Sequence, residues 1–157
     1  MSSQTQYGHR EARRAAFAAD AASRTGIDEN MIKTLVHGFY ARVRADSVLA
    51  PVFASRIANW DGHLERMCAF WSPVVLMSGR YHGQPMQKHN PLPVGAHHFD
   101  RWLELFKETA RDLCPSAAAK LFIEKASLIA QSLELGIGVH RGLMLGEGER
   151  LPEAGHV

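Results

Sequence analysis

Residues 59–77 read NWDGHLERMCAFWSPVVLM. At about 100° per residue, His63, Met67, Phe70, Trp71 and Val74 fall on one face, which predicts an amphipathic helix from Asn59 to Met77. The same period recurs on both sides of it. Ile32, Leu35, Val36, Phe39 and Val43 form a stripe from Glu29 to Ala45, with Tyr40 at its edge and Asp28 as a cap. Phe99, Trp102, Leu103, Phe106, Ala110 and Leu113 form a third, from Phe99 to Leu113. Leu121, Phe122, Ala126, Ile129 and Leu133 form a fourth, from Ser116, a candidate cap, to about Leu135. No stretch alternates apolar and polar residues in the manner of a strand, so the fold class is all-α.

Length and composition bound what such a chain can do. At 157 residues and 46% apolar, it suits one domain with one core. Residues 1–24 are rich in Ala, Arg, Glu and Asp and read as a flexible N-terminal tail. Residues 25–141 hold the helical stripes. Residues 142–157, rich in Gly, Glu and Pro, read as a flexible C-terminal tail. A net charge of +2 gives no footprint for nucleic acid. The longest relevant apolar run, Val74 to Met77, is far below the ~20 residues that span a bilayer. The polar first ten residues carry no signal-peptide core, so the expected location is cytoplasmic. Cys68 and Cys114 read as free thiols, and no C-x-x-C-H motif offers covalent haem attachment.

Nine histidines are many for this length, and two have unusual settings. His63 lies within an apolar stripe, where a histidine is ordinarily a satisfied core residue. His89 follows a breakdown of periodicity between Met77 and Phe99. There, Pro85 can open a short turn that Asn90-Pro91 closes. A solvent-facing loop histidine is the plain reading, although a connection this long is unusual in a compact domain without a function. Asp46 to Ala54 reads as a turn region. Tyr40 reads as a boundary tyrosine with its hydroxyl in solvent, and Trp102 also puts a polar hydrogen at the edge of an apolar stripe. A haem pocket needs one neutral imidazole for the iron and an apolar slot for the porphyrin. Polar hydrogens across from that imidazole complete it, and the residues named can supply all three. A zinc or non-haem iron protein is disfavoured, because no two histidines stand at i, i+4 with an acid nearby.

Several motifs, in order, resemble one family. They are Gly38-Phe39-Tyr40-Ala41-Arg42-Val43-Arg44-Ala45-Asp46, Pro51-Val52-Phe53, Trp60-x-x-His63, Phe70-Trp71, Gly79-x-Tyr81-x-Gly83-x-Pro85-x-x-x-His89 and His98-Phe99-x-x-Trp102. Their order and spacing over residues 27–138 resemble the truncated haemoglobins of group III, and the Gly-Gly pairs of groups I and II are absent. The resemblance implies a two-over-two helical sandwich, a truncated globin fold, around non-covalent haem b. It makes His89 the proximal iron ligand and puts Tyr40, His63 and Trp102 at the distal polar positions. It sets Phe53 on the haem face, Met67 one turn after His63, and Phe70 and Trp71 in the pocket lining. Arg66, Arg80 and Lys88 are candidates to meet the haem propionates, while His97 and His98 are expected at the surface or haem edge. The implied function is reversible binding of a diatomic gas, oxygen first, then nitric oxide or carbon monoxide. The alternative is a haem enzyme with nitric oxide dioxygenase or peroxidase-like activity, fed by a separate reductase. Both segments outside 25–141 exceed what the family needs.

Overall fold

A computed structural model of the chain describes residues 25–76, 93–146 and 148–153, with Arg13 alone before them. Five helices carry the chain: α1 (Glu29–Ala45), α2 (Ala50–Ala54), α3 (Trp60–Leu76), α4 (Ala96–Leu113) and α5 (Ser116–His140). No strand occurs among the described residues. Helices α1 and α3 pack as one pair and α4 and α5 as another. The pairs stack through α1 on α4 and α3 on α5. This is the two-over-two sandwich of a truncated globin. No described helix is long and apolar enough to cross a membrane.

The ends of α1 are set by its sequence. Asp28 has an extended backbone, and its carboxylate accepts the Met31 N–H at 2.8 Å, satisfying one of the donors a helix start leaves open. Glu29 in the first turn and Arg42 and Arg44 in the last complement the helix dipole. Asp46 ends the helix and organises the turn after it. Its carboxylate accepts the N–H groups of Val48 and Leu49 and the guanidinium of Arg101, at 2.7 Å, from α4. The region expected to be a plain turn therefore holds the five-residue α2, with Pro51 in its first turn, where a missing N–H costs nothing.

Helices α4 and α5 depart from the expected boundaries. Helix α4 begins at Ala96, not Phe99, because the His98 ring folds back and its Nδ1 accepts the Gly95 N–H at 3.0 Å. Helix α5 has Ser116 as its first residue. Pro115 is the residue before it, so Ser116 does not cap, and no side chain does. The helix also runs past Leu135 to His140, because Ile137 and Gly138 are buried and tertiary packing sustains the extra turn. It closes with paired bonds, Leu143 N–H to Gly138 C=O at 2.8 Å and Gly142 N–H to Val139 C=O at 2.9 Å. Gly142 has φ +79°, so this end is a Schellman motif that favours glycine.

The core has an aromatic centre. Phe106 lies between two tryptophans, stacked on Trp71 at 5.3 Å and on Trp102 at 5.5 Å between ring centroids. Leu35, Val36 and Phe39 of α1 and Phe122 of α5 close around it. Cys68 and Cys114 form no disulfide, and burial pushes the Cys114 thiol upward in pKa.

The composition from residue 142 onward predicts a mobile segment, and it does not anticipate what residues 148–153 do. Leu151 is 2% exposed and packs on Val94 and Ile137. Its carbonyl accepts the Ala96 N–H at 3.1 Å.

Candidate functional site

Between the two helix pairs lies a cavity of about 530 Å³, within the usual size range of cofactor pockets. Helix α1 contributes Tyr40 and α2 contributes Val52 and Phe53. Helix α3 contributes His63, Met67, Phe70 and Trp71, spaced three and four residues apart so that they share one face. Trp102, with His98 and Phe99, enters from α4. Ile129, Leu133 and Ile137 enter from α5. Seven of the expected site residues thus meet at one cavity: Tyr40, Phe53, His63, Met67, Phe70, Trp71 and Trp102. Arg66, a candidate propionate partner, also lines it. His89, Lys88 and Arg80 lie outside the described residues.

Tyr40 is 7% exposed, so the plain reading of a tyrosine with its hydroxyl in solvent is wrong. Its position at the stripe's edge packs against His63 of α3 instead of facing water. Burial, and then the neighbouring Cys68, push the phenol well above the ordinary tyrosine range. The hydroxyl therefore keeps its proton at any ordinary pH and can donate. Its ring meets Phe53 at 5.8 Å and His63 at 4.9 Å between centroids. Trp60 completes a triangle of rings with them, 5.7 Å from His63 and 6.0 Å from Tyr40, and the His63 Nε2 is shielded from solvent. Trp60 in turn carries the Arg44 guanidinium over its ring at 4.6 Å, a cation–π contact that holds it at the edge of the site.

Several lining residues were missed. Val52, Ile129, Leu133 and Ile137 had no signal to separate them from core positions at helical spacing. Arg56 also lines the cavity, and nothing in its turn marked it out. His98 lines the cavity, whereas His97 is exposed and pairs with Glu153.

Two other features compare poorly with this cavity. A larger, open groove of about 850 Å³ runs beside Lys107, Arg111, Lys120 and Ile123. It has no aromatic lining and cannot enclose a flat apolar group. His97, His98 and Glu153 bring ligand atoms within 4.8 Å of one another, a grouping made by tertiary contact and not by i, i+4 spacing. There, however, His98 Nδ1 already accepts the Gly95 N–H, and a helix N-terminus disfavours a cation. Burial, and then His97, hold the His98 imidazole below the usual histidine range.

The donor set of the central cavity fits haem. It combines a slot walled by aromatic and aliphatic side chains, polar hydrogens from Tyr40 and Trp102, and Arg56 and Arg66 among its lining residues as cationic partners for carboxylates.

Comparison with known proteins agrees with this arrangement. The bacterial-like globin family matches residues 23–127. The group 3 truncated haemoglobin of Campylobacter jejuni is 31% identical over 113 residues, which cover 69% of this chain and 89% of that protein. The crystal structure of a group III truncated haemoglobin from Campylobacter jejuni superposes with a TM-score of 0.65 at 31% identity, covering 68% of this chain and 88% of the other. The chain belongs to the bacterial-like globins and, within them, to the group III truncated haemoglobins, haem proteins that bind diatomic gases.

Proposed function

We propose that this protein holds one haem b, without a covalent link, in the central cavity and binds oxygen on it reversibly. In this reading His89 is the proximal ligand, and Tyr40 and Trp102 are the hydrogen-bond donors to the gas. His63 is the third distal residue, and Arg66 and Lys88 meet the propionates. When bound, haem supplies an iron that takes a diatomic gas.

The observation that carries the reading is the buried Tyr40 hydroxyl beside the aromatic and aliphatic walls of the cavity. A phenol hydroxyl carries its proton at ordinary pH and serves as a donor to a ligand that gathers negative charge as it binds, as oxygen does far more than carbon monoxide. The Trp102 indole N–H is a donor only, so it too favours an acceptor. Hydrogen bonds to charged groups contribute roughly 1.5–3 kcal/mol each, and ~1.4 kcal/mol is tenfold in an equilibrium constant. Two donors therefore suit tight, slowly released oxygen, and so scavenging or sensing more than bulk transport.

The test is haem titration of the purified apoprotein, with oxygen and carbon monoxide binding measured next. The reading expects one haem per chain and an oxygen complex that decays more slowly than that of the Tyr40→Phe variant. A chain that takes up no haem, or whose oxygen release ignores Tyr40, contradicts it.

A further inference from the structure

Glu134 is a buried carboxylate that faces away from the chemistry so far described. It is 8% exposed on α5 and is not part of the cavity lining. Its Oε1 accepts two donors from the C-terminal segment, the Arg150 guanidinium Nε at 2.9 Å and the Leu151 backbone N–H at 2.9 Å. Arg150 is held from its other side by Asp100 of α4 at 2.7 Å. The anchor places Leu151 against Val94 and Ile137 in a small apolar cluster separate from the main core, to which Leu143 and Leu145 also belong. The remaining members of that cluster are Val52 and Phe99. Val52, Val94, Phe99 and Ile137 all line the central cavity.

Two glycines show how closely the segment is fitted. A Cβ on Gly95 would come within 2.7 Å of the Glu153 Cα, and a Cβ on Gly138 within 3.1 Å of the Leu145 side chain. The backbone of residue 153 passes Gly95 where no side chain fits. The segment lies beyond residues 23–127, where the family match ends.

We propose that Glu134 is a positioning residue that seats residues 143–146 and 148–153 as the outer support of one end of the cavity, and that this clasp sets how long the protein keeps its haem. The proposal rests on the haem reading above. Four side chains that line one end of the cavity are backed by three leucines of the clasp. When the clasp lifts, that wall faces solvent and loses its packing, and a planar apolar group leaves more readily. Linkage makes the effect reciprocal: bound haem must hold the clasp down to the same degree that the clasp holds haem in.

The test tracks haem passing from the loaded protein to excess apomyoglobin, read in visible absorbance. The variants are Leu151→Ala, Glu134→Gln and a chain ended after Arg141. Glu134→Gln keeps an acceptor for the Leu151 N–H and removes the charge that holds Arg150. Leu151→Ala and the shortened chain are expected to lose haem at least about tenfold faster, the scale of a leucine truncated in a packed site. Glu134→Gln is expected to lose haem faster than wild type, with helix content by circular dichroism unchanged. A second readout is trypsin cleavage of the Arg150–Leu151 bond. Haem should slow that cut in the wild type, and Glu134→Gln should speed it with or without haem. Haem loss within about twofold of wild type in Leu151→Ala and Glu134→Gln overturns the proposal, as does cleavage that ignores haem. A wild-type chain that binds no haem overturns the reading beneath it, whereas normal uptake with unchanged loss rates overturns the clasp alone.

Discussion

The imidazole of His63 stands at right angles to the phenol ring of Tyr40, with centroids 4.9 Å apart and planes at 88°. Edge-to-face geometry of this kind fixes the orientation of both rings. Tyr40 is thereby presented to the cavity with little freedom to turn away, and a preset donor loses less on binding than a mobile one. Tyr40→Phe removes the hydroxyl and keeps the ring. Oxygen dissociation, measured by stopped flow, should rise by about tenfold or more, the scale of one hydrogen bond to a partly charged acceptor. Carbon monoxide dissociation should change far less. Equal effects on both gases would mean that Tyr40 acts by shape and not by donation.

Trp102 allows a parallel comparison. Its ring stacks on Phe106 with planes 19° apart, so Trp102→Phe retains an aromatic surface there while removing the N–H. Oxygen release should quicken and carbon monoxide release should barely move. If both rates match wild type, the indole serves only as packing.

Phe106 itself should matter for stability more than for ligands. It is 2% exposed, sits between Trp71 and Trp102, and does not line the cavity. Phe106→Ala should cost about 3–5 kcal/mol in urea denaturation of the apoprotein. A loss below ~1 kcal/mol would show that the two tryptophans close the gap on their own.

Asp46 gives a dependence on pH. Burial works against its charge, but the Arg101 guanidinium and the N–H groups of Leu49 and Val48 outweigh this and hold the carboxyl below its ordinary range. The folded value is therefore depressed relative to the unfolded chain. Its stabilisation is fully present above the unfolded value of about 4 and is lost as pH falls through the folded one. Stability measured from pH 6 down to about 2.5 should fall, and Asp46→Asn should start lower and fall less steeply. Parallel curves would place the acid sensitivity elsewhere.

Much of this was legible in advance. The four stripes containing Phe39, Trp71, Phe106 and Phe122 are local periodic signals, and each became a helix. The edge position of Tyr40 was also visible, but its burial was not, because that depends on α3 crossing in front of it. Ile129, Leu133 and Ile137 repeat at helical spacing whether a helix faces core or cavity, so periodicity cannot mark which of them line a pocket. The last turn of α5 exceeded the expected boundary because buried Ile137 and the Gly142 closure outweigh the poor propensity of Gly136 and Gly138. The pairing of Glu134 with Arg150 joins residues 16 apart through a chain reversal that composition reads as loose. His89 was picked out by its Pro-bounded turn and by family resemblance, and its role is a proposal on those grounds.

Haem binding through His89 is tested by visible spectra of haem added stepwise to the apoprotein and to His89→Ala. The wild-type chain should give a sharp Soret band that saturates at one haem per chain. His89→Ala should give a weak or displaced band, with haem lost on gel filtration. Equal uptake and identical spectra in the two proteins would contradict it.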